Sequence, residues 1–249
     1  MNSKFTPVTR MIVTTSWDDG HPLDLRLAEL LAKHGLPATF YVPLSNQRPS
    51  MSPAEIRSLA SQFEIGGHTL THCDLNRLSL TASQSEITGC RSEIEQITGR
   101  PCRSFCFPMG RFRRVHLAQV RRAGFSIART VETMSLGWPR SVDGLLLLPT
   151  SVQAYATSWA ARLRNGVKRL RADNLLRAVL FHRSDWEATA ELLLEQIEHQ
   201  GGVFHLWGHS WEIEESQDWD RLELLMSKLG QMRDRANYAT NAEVAGSCP

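Results

Sequence analysis

The stretch Met11-Ile-Val-Thr-Thr-Ser-Trp-Asp-Asp-Gly20 begins as an apolar, β-branched run and ends in two adjacent carboxylates followed by glycine. Short apolar runs that end in a polar turn are typical of buried strands, so we predict a strand here. Asp18 and Asp19 then follow directly after it. Neighbouring carboxylates point in different directions, so one can hold a metal ion while the other acts as a base. An Asp-Asp-Gly turn alone is a weak indication of a site.

A second motif, Gly66-Gly-His-Thr-Leu-Thr-His72, lies about fifty residues further along the chain. The spacing of His68 and His72 predicts that both imidazoles lie on one face of a helical turn, a geometry that suits chelation. One carboxylate and two histidines make a set of three ligands. That set leaves positions open for water and substrate, as a catalytic zinc site requires.

The rest of the chain alternates short apolar runs with amphipathic segments. Strands are predicted at residues 11–15, 38–42, 63–67, 103–107, 125–130, 145–148 and 203–207. Helices are predicted at residues 23–34, from Ser52-Pro53 onward, and at 81–98, 115–123, 154–171, 186–199 and 219–229. Repeated strand–helix units predict an α/β fold, a distorted, TIM-like (β/α) barrel of seven or eight parallel strands. We expect one domain over residues 1–249, with its core at about 10–230 and a frayed tail after Tyr238.

The candidate residues fall at corresponding places in these units. Asp18-Asp19, His68, the turn Pro108-Met109-Gly110 and His209 each follow a predicted strand. In a (β/α) barrel the C-terminal ends of the strands share one face, which is where catalytic residues lie. We therefore expect all four groups around one cavity. His205, on the last strand, is interpreted as structural.

Composition limits the class of protein. The 249 residues are 42% hydrophobic and 22% charged, which is ordinary for a folded domain. The N-terminus has no apolar core of signal-peptide length, and we predict a cytoplasmic protein. The five cysteines are odd in number and lack paired spacing, which favours thiols in a reducing compartment: Cys73, Cys90, Cys102, Cys106 and Cys248.

Charge is uneven along the chain although the net charge is only +2. Residues 100–184 are strongly basic and residues 185–223 are acidic. A basic segment can attract an anionic substrate or membrane surface, or can simply be a solvated helix face. Peripheral membrane contact is therefore kept open for the basic cluster beside Trp159, while no nucleic-acid partner is expected. That cluster comprises Arg162, Arg164, Lys168, Arg169 and Arg171.

Taken together, the motifs resemble those of the polysaccharide deacetylase family, the NodB-homology fold or carbohydrate esterase family four. The resemblance rests on Asp-Asp-Gly after the first strand, His-Thr-x-x-His after the third, a proline turn before a helix, and a late strand ending in histidine. It implies a distorted (β/α) barrel that removes N-acetyl or O-acetyl groups from sugars with a divalent metal ion, most often Zn²⁺.

Matched residue by residue, the resemblance implies a role for each position. Asp18 would be the general base and His209 the general acid. Asp19, His68 and His72 would be the metal ligands. The backbone N–H of Met109 would stabilise the oxyanion of the tetrahedral intermediate.

This chain departs from the family pattern in its third and fourth motifs. Cys106 stands where the family has an arginine that pairs with the base, and Met109 stands where it has a tyrosine. Arg103, Arg111 and Arg129 are the candidates for the missing cation, and the sequence does not choose among them. The candidates for the acidic partner that tunes His209 are Asp185-Trp186 and Glu212. We therefore expect a divergent branch of the family.

The motifs predict the residues that contact the substrate less directly than they predict the metal ligands. Sugars stack their C–H faces on indole rings, so Trp17, Trp207 and Trp211 are candidate contacts, although each is equally compatible with a core position. Arg103 and Arg111 are further candidates. The expected substrate is an acetylated sugar or glycoconjugate, nucleotide- and lipid-linked forms included. Two alternatives stay open: an amidohydrolase acting on a non-sugar amide or cyclic imide, and a catalytically idle carbohydrate-binding relative.

Overall fold

The computed structural model describes residues 11–155 and 185–247, in which strands and helices alternate as predicted. The ten strands are β1 Met11–Asp18, β2 Thr39–Val42, β3 Glu64–Gly67, β4 Ser104–Cys106, β5 Ile127–Arg129, β6 Arg140–Val142, β7 Leu145–Leu148, β8 Val152–Gln153, β9 Gly202–Gly208 and β10 Asn237–Tyr238. The α-helices are α1 Asp24–Lys33, α2 Pro53–Leu59, α3 Leu80–Thr98, α4 Arg114–Arg122, α5 Trp186–Gln200, α6 Ser210–Ser216, α7 Trp219–Gly230 and α8 Asn241–Ala245. Leu75–Arg77 and Pro108–Gly110 are single turns of 3₁₀ helix.

All ten strands belong to one curled sheet with the order β6-β7-β5-β4-β3-β2-β1-β9-β8, and β10 pairs with β1 at its start. Every described pair is parallel except β6–β7. The α/β class and the distorted (β/α) barrel are therefore confirmed. The three strands that the sequence did not indicate are β6, β8 and β10, which are only two or three residues long. Strands this short leave no readable alternation.

Local signals explain why the helices begin and end where they do. Ser52 and Glu55 form the predicted capping box at the start of α2, with proline at the first helical position. Ser79 caps α3, which ends at Gly99 in the left-handed conformation (φ 67°). The predicted helix 154–171 and its basic cluster lie outside the described residues, apart from Ala154 and Tyr155.

Residues 237–247 are structured, which corrects the prediction of a frayed tail after Tyr238. Thr240 and Glu243 form a capping box that starts α8. The Asn241 side chain is fully buried; it accepts a hydrogen bond from Thr14 Oγ1 (2.8 Å) and donates one to Tyr41 Oη (2.9 Å). A helix of five residues is too short to show a periodic pattern, and the buried partners lie more than 190 residues away.

The hydrophobic core has two parts. The larger cluster lies between the sheet and the surrounding helices and includes Trp17, Phe40, Phe105 and Trp186. A smaller cluster joins the beginnings of several strands to the C-terminal segment: Ile12, Ile127, Leu148, Val203, Ala239 and Val244. The tail therefore packs at the end of the sheet opposite Asp18. Within the described ranges, no helix has the combination of length and apolar character needed to cross a membrane.

Candidate active site

Neighbouring parallel strands deliver the functional side chains to one edge of the sheet. Trp17 of β1 lies opposite Gly208 of β9, so Asp18 and His209 leave adjacent strands side by side. Cys106 of β4 is likewise paired with Arg129 of β5. At the C-terminal ends of the strands, these residues lie close to Asp19, His68 and His72, as the sequence predicted.

Asp19, His68 and His72 come together as the sequence predicted for metal ligands. Asp19 Oδ1 lies 3.1 Å from His72 Nε2 and 3.8 Å from His68 Nε2. The buried Oδ1 atom has no hydrogen-bond partner among the described residues. His68 Nδ1 is occupied by the carbonyl oxygen of Cys106 (2.8 Å), which leaves Nε2 to face the carboxylate. Burial lowers the pKa of His68 to about 4, so this imidazole is neutral and able to bind a cation.

The two histidines do not lie on a helical turn, and in this respect the prediction was wrong. Residues 68–72 form an irregular loop in which Thr69 (φ 64°) and His72 (φ 52°) adopt left-handed backbone conformations. Asp19 (φ 79°) and Met109 (φ 56°) do so as well. Non-glycine residues in this region carry backbone strain that the surrounding structure must hold, and such residues cluster at functional sites. The loop, rather than helical periodicity, brings the imidazole rings to a centroid distance of 4.9 Å.

The glycine pair before His68 is needed for close packing of β3. A Cβ atom on Gly66 would lie 2.5 Å from the Tyr41 ring, and one on Gly67 would lie 2.8 Å from Cys90 Sγ. Side chains larger than hydrogen would therefore push β3 away from its neighbours. These glycines fix the position from which the histidine loop begins.

Asp18 is paired with Arg129, which settles the choice among the three candidate arginines. The Arg129 guanidinium donates to Asp18 Oδ2, and both side chains are buried. Cys106 Sγ lies 3.8 Å from the same oxygen. Burial alone would raise the pKa of Asp18, but the charge of Arg129 and the nearby imidazoles of His68 and His209 lower it below its usual range. The carboxylate is therefore ionised at neutral pH.

Strand register explains how an arginine from another strand reaches Asp18. Cys106 is small, and Arg129 lies directly opposite it on the adjacent strand. The guanidinium thus approaches Asp18 from β5 and packs against the Trp207 ring (4.4 Å). The pKa of Arg129 is raised, because the attraction of Asp18 outweighs the effect of burial.

His209 is held by Glu212 on the first turn of α6. His209 Nδ1 lies 2.6 Å from Glu212 Oε2, while Nε2 points between Asp18 Oδ2 (4.0 Å) and Asp19 Oδ2 (3.9 Å). Burial would lower the pKa of His209, but the hydrogen bond and charge of Glu212 raise it to about 9. The ring is therefore protonated at neutral pH. Glu212, one of the two predicted candidates, is the acidic partner of this histidine.

The other candidate, Asp185-Trp186, lies elsewhere. Asp185 caps α5 and pairs with Arg221, and the Trp186 indole donates to Asp218 (3.1 Å). His205 is structural, as interpreted: it is fully buried, with Nε2 2.8 Å from Ser16 Oγ.

Two of the predicted substrate contacts are contradicted by their positions. The Trp17 side chain is completely buried in the core and has no face to offer a sugar. Arg103 precedes β4, at the opposite end of the sheet, where it lines a groove of about 360 Å³ with Arg100, Thr240 and Glu243. The sequence could not distinguish a substrate contact from a structural residue at these positions, because an aromatic or basic residue beside a motif is compatible with both.

The other three predicted contacts lie near the site. Trp207 is 8% exposed and packs on Arg129. Arg111 is exposed and pairs with Asp74 (3.0 Å), two residues after His72. Trp211 donates its indole N–H to Asp19 Oδ2 (3.0 Å), a contact that no sequence pattern indicated.

Comparison with known sequences supports the resemblance. The family model described as polysaccharide deacetylase matches residues 6–128. An uncharacterized protein of Bacillus subtilis (strain 168), YlxY, is 23% identical over 198 residues, which is 78% of this chain and 54% of that protein. The chain therefore spans about half the length of this curated relative.

Solved structures share the fold. A protein of Mycobacterium smegmatis assigned as a polysaccharide deacetylase has a TM-score of 0.70 at 17% identity, covering 98% of this chain and 91% of its own. The chitin deacetylase of Colletotrichum lindemuthianum has a TM-score of 0.62 at 15% identity, covering 96% and 88%. A family 4 acetyl xylan esterase from Clostridium thermocellum, solved with a cobalt ion, has a TM-score of 0.56 at 17% identity, covering 95% and 91%. Residues 6–128 thus match the polysaccharide deacetylase family, and the described fold is shared with solved structures at identities low enough to fit a divergent branch of that family.

Proposed function

We propose that this protein is a metal-dependent hydrolase that removes acetyl groups from an acetylated carbohydrate. The observation that carries the proposal is the grouping of Asp19, His68 and His72 beside a buried Asp18–Arg129 pair and the His209–Glu212 pair. The match to the polysaccharide deacetylase family suggests the reaction class, and these side chains supply the groups that the reaction needs.

The donor set suits a divalent cation. One carboxylate and two imidazoles are ligands that Zn²⁺ accepts, and the solved acetyl xylan esterase of this fold holds cobalt, which favours similar ligands. Asp19, His68 and His72 would hold the ion. The chemistry it contributes when bound is Lewis acidity toward the acyl carbonyl and toward water.

Asp18 accepts the proton of the attacking water as the acyl carbon is attacked. Arg129 keeps this carboxylate ionised and fixed in orientation, so the base is available at neutral pH. The backbone N–H of Met109, on the exposed turn after β4, is assigned to the developing oxyanion. The left-handed conformation of Met109 sets the direction of that turn.

His209 donates the proton that the leaving amine or alkoxide requires. Glu212 holds Nδ1, so the proton on Nε2 faces the cavity. The bond between the acyl carbon and the sugar nitrogen or oxygen breaks as this proton is transferred. Acetate and the free sugar amine or hydroxyl are the products.

The substrate class follows from the relatives of the fold. A chitin deacetylase and an acetyl xylan esterase are both among them, so N-acetyl and O-acetyl sugars both belong in the first panel. Nucleotide- and lipid-linked acetamido sugars form a second panel. Small amides and cyclic imides form a third, scored for release of acids other than acetate, which the amidohydrolase alternative predicts.

The test measures acetate release and bound zinc together. The wild-type protein is expected to bind about one zinc and to release acetate from at least one acetylated sugar. Asp18→Asn should keep the zinc and lose about 10²–10⁴-fold in turnover, because the base is removed while the three metal ligands stay. The matched control is Asp143→Asn, an exposed carboxylate paired with Arg114, which should behave as wild type. Sugar and zinc binding without acetate release by the wild type would instead support the idle relative.

A further inference from the structure

The two oxygens of Asp19 have different surroundings. Oδ1 faces His72 Nε2 (3.1 Å) and His68 Nε2 (3.8 Å). Oδ2 accepts a hydrogen bond from the indole Nε1 of Trp211 (3.0 Å) and lies 3.9 Å from His209 Nε2. The carboxylate is therefore divided between a ligand-facing oxygen and an oxygen that a tryptophan holds.

We propose that Trp211 is a positioning residue of the metal site, which holds Asp19 so that only Oδ1 is offered to the ion. The inference rests on the proposed metal-dependent function. A carboxylate without this hydrogen bond can rotate, or can bind through both oxygens and fill a position that water and substrate need. Hydrogen bonds to metal ligands commonly set ligand orientation and affinity in this way.

Two neighbouring side chains, those of Arg48 and His209, pack against the Trp211 ring. The Arg48 guanidinium lies 3.4 Å from the ring centroid, and Arg48 Nη1 pairs with Glu215 (3.4 Å) on the same helix, α6. The His209 ring lies at a centroid distance of 5.1 Å, tilted by 38°. One face of the indole is thus covered by a cation, which makes this tryptophan a support for the site rather than an open platform for a sugar.

The helix that carries Trp211 also carries Glu212, the partner of His209. Consecutive residues of α6 therefore hold the metal-ligand carboxylate and the acid imidazole. This arrangement links the two halves of the site through one helical turn. Loss of the indole N–H should disturb metal binding first, because Asp19 is its direct partner.

The primary test is the zinc affinity of Trp211→Phe, which keeps an aromatic ring but removes the N–H donor. We expect the dissociation constant for zinc, measured by competition with a chromophoric chelator, to rise about 10- to 100-fold. The matched control is Trp219→Phe. Trp219 also donates to a carboxylate, Glu214 Oε2 (2.5 Å), beneath an arginine, Arg26 (4.2 Å), but it touches no metal ligand. Its zinc affinity should equal that of wild type.

A second readout uses cobalt(II) as the probe. If Asp19 becomes bidentate in Trp211→Phe, the visible absorption of the cobalt protein should weaken, because higher coordination numbers absorb less. In wild-type protein labelled with ¹⁵N-tryptophan, the Trp211 indole resonance should shift on addition of zinc, while that of Trp219 should not. This measurement uses the wild-type protein, so it does not depend on the folding of a variant.

The outcomes separate this inference from the proposed function. Failure of the wild-type protein to bind zinc would overturn both. Zinc binding by the wild type, with an unchanged dissociation constant and cobalt spectrum in a folded Trp211→Phe and no indole shift, would overturn the role of Trp211 alone.

Discussion

At the scale of single residues, Arg129 makes the ion pair that the family pattern assigns to an arginine at the position of Cys106. The position of the usual arginine holds a thiol, and the guanidinium arrives from the opposite residue on the adjacent strand. The sequence offered three arginines as the cation that pairs with Asp18 and did not choose among them. Which one reaches Asp18 depends on strand register, and register is a property of the folded sheet.

Replacement of Arg129 by methionine should impair both stability and catalysis. The change leaves the buried Asp18 carboxylate without its cation, which typically costs about 3–5 kcal/mol. Below neutral pH the variant should lose activity sooner than wild type, because the pKa of Asp18 rises when Arg129 no longer lowers it. Denaturant unfolding and the pH dependence of acetate release measure the two effects. Arg103→Met, at the far end of the sheet, is the control and should match wild type in both.

The second substitution Cys106→Arg in the Arg129→Met background tests this assignment directly. It places a guanidinium where the family pattern has one, next to Asp18 and in the space vacated by Arg129. We expect the double variant to recover part of the lost activity, and part of the activity that Arg129→Met loses below neutral pH. Recovery by neither measure, in a folded protein, would show that Arg129 does more than hold the base.

At the scale of elements, α6 determines the protonation state of His209, the proposed acid. The sequence predicted His209 and offered Glu212 as one of two candidate partners, without choosing between them. It did not predict α6 itself, whose seven residues lie between the strong signals of β9 and α7. It also did not predict Asp24, a buried carboxyl at the start of α1 that accepts a hydrogen bond from Ser210 (2.5 Å) and whose pKa burial raises to about 8.

Glu212→Gln should move the alkaline limb of the pH–rate profile to lower pH. The carboxylate raises the pKa of His209 to about 9, so its loss should return that pKa toward the ordinary value of about 6.5. His209 must be protonated to act as the acid, so activity is lost as the pH rises through its pKa. In the variant, this loss of activity should occur about one to two pH units lower than in wild type. Glu214→Gln, on the same helix but bonded to Trp219, should leave the limb unchanged. An unshifted limb in Glu212→Gln would contradict the assignment of His209 as the acid.

At the scale of the whole molecule, the sequence predicted the α/β class, the barrel and the end of the sheet that carries the site. Strong apolar runs and capping signals made this possible. It missed the packing of the chain's end beneath the sheet, since this packing depends on contacts between residues at opposite ends of the sequence. The predicted cytoplasmic location and membrane contact stay predictions, and the basic cluster on which the latter rests lies outside the described residues.

The C-terminal segment should contribute measurably to stability. Asn241→Ala removes the buried partner of Thr14 and Tyr41, and leaving such groups unsatisfied costs about 1–3 kcal/mol each. We expect a lower denaturant midpoint with an unchanged slope and an unchanged zinc affinity. Asn76→Ala, at an exposed asparagine, is the control and should stay within about 0.5 kcal/mol of wild type. An Asn241→Ala protein as stable as the control would mean that the tail is not part of the core.

The most direct test of the central claim is the acetate released from acetylated sugars by the wild-type protein before chelation, after chelation, and after zinc is restored. Asp19→Ala is assayed beside it. The account predicts release that falls to background with the chelator, recovers with about one equivalent of zinc, and does not recover in Asp19→Ala, whose ligand set is incomplete. Acetate release that persists in the metal-free wild-type protein, or in Asp19→Ala, would contradict it.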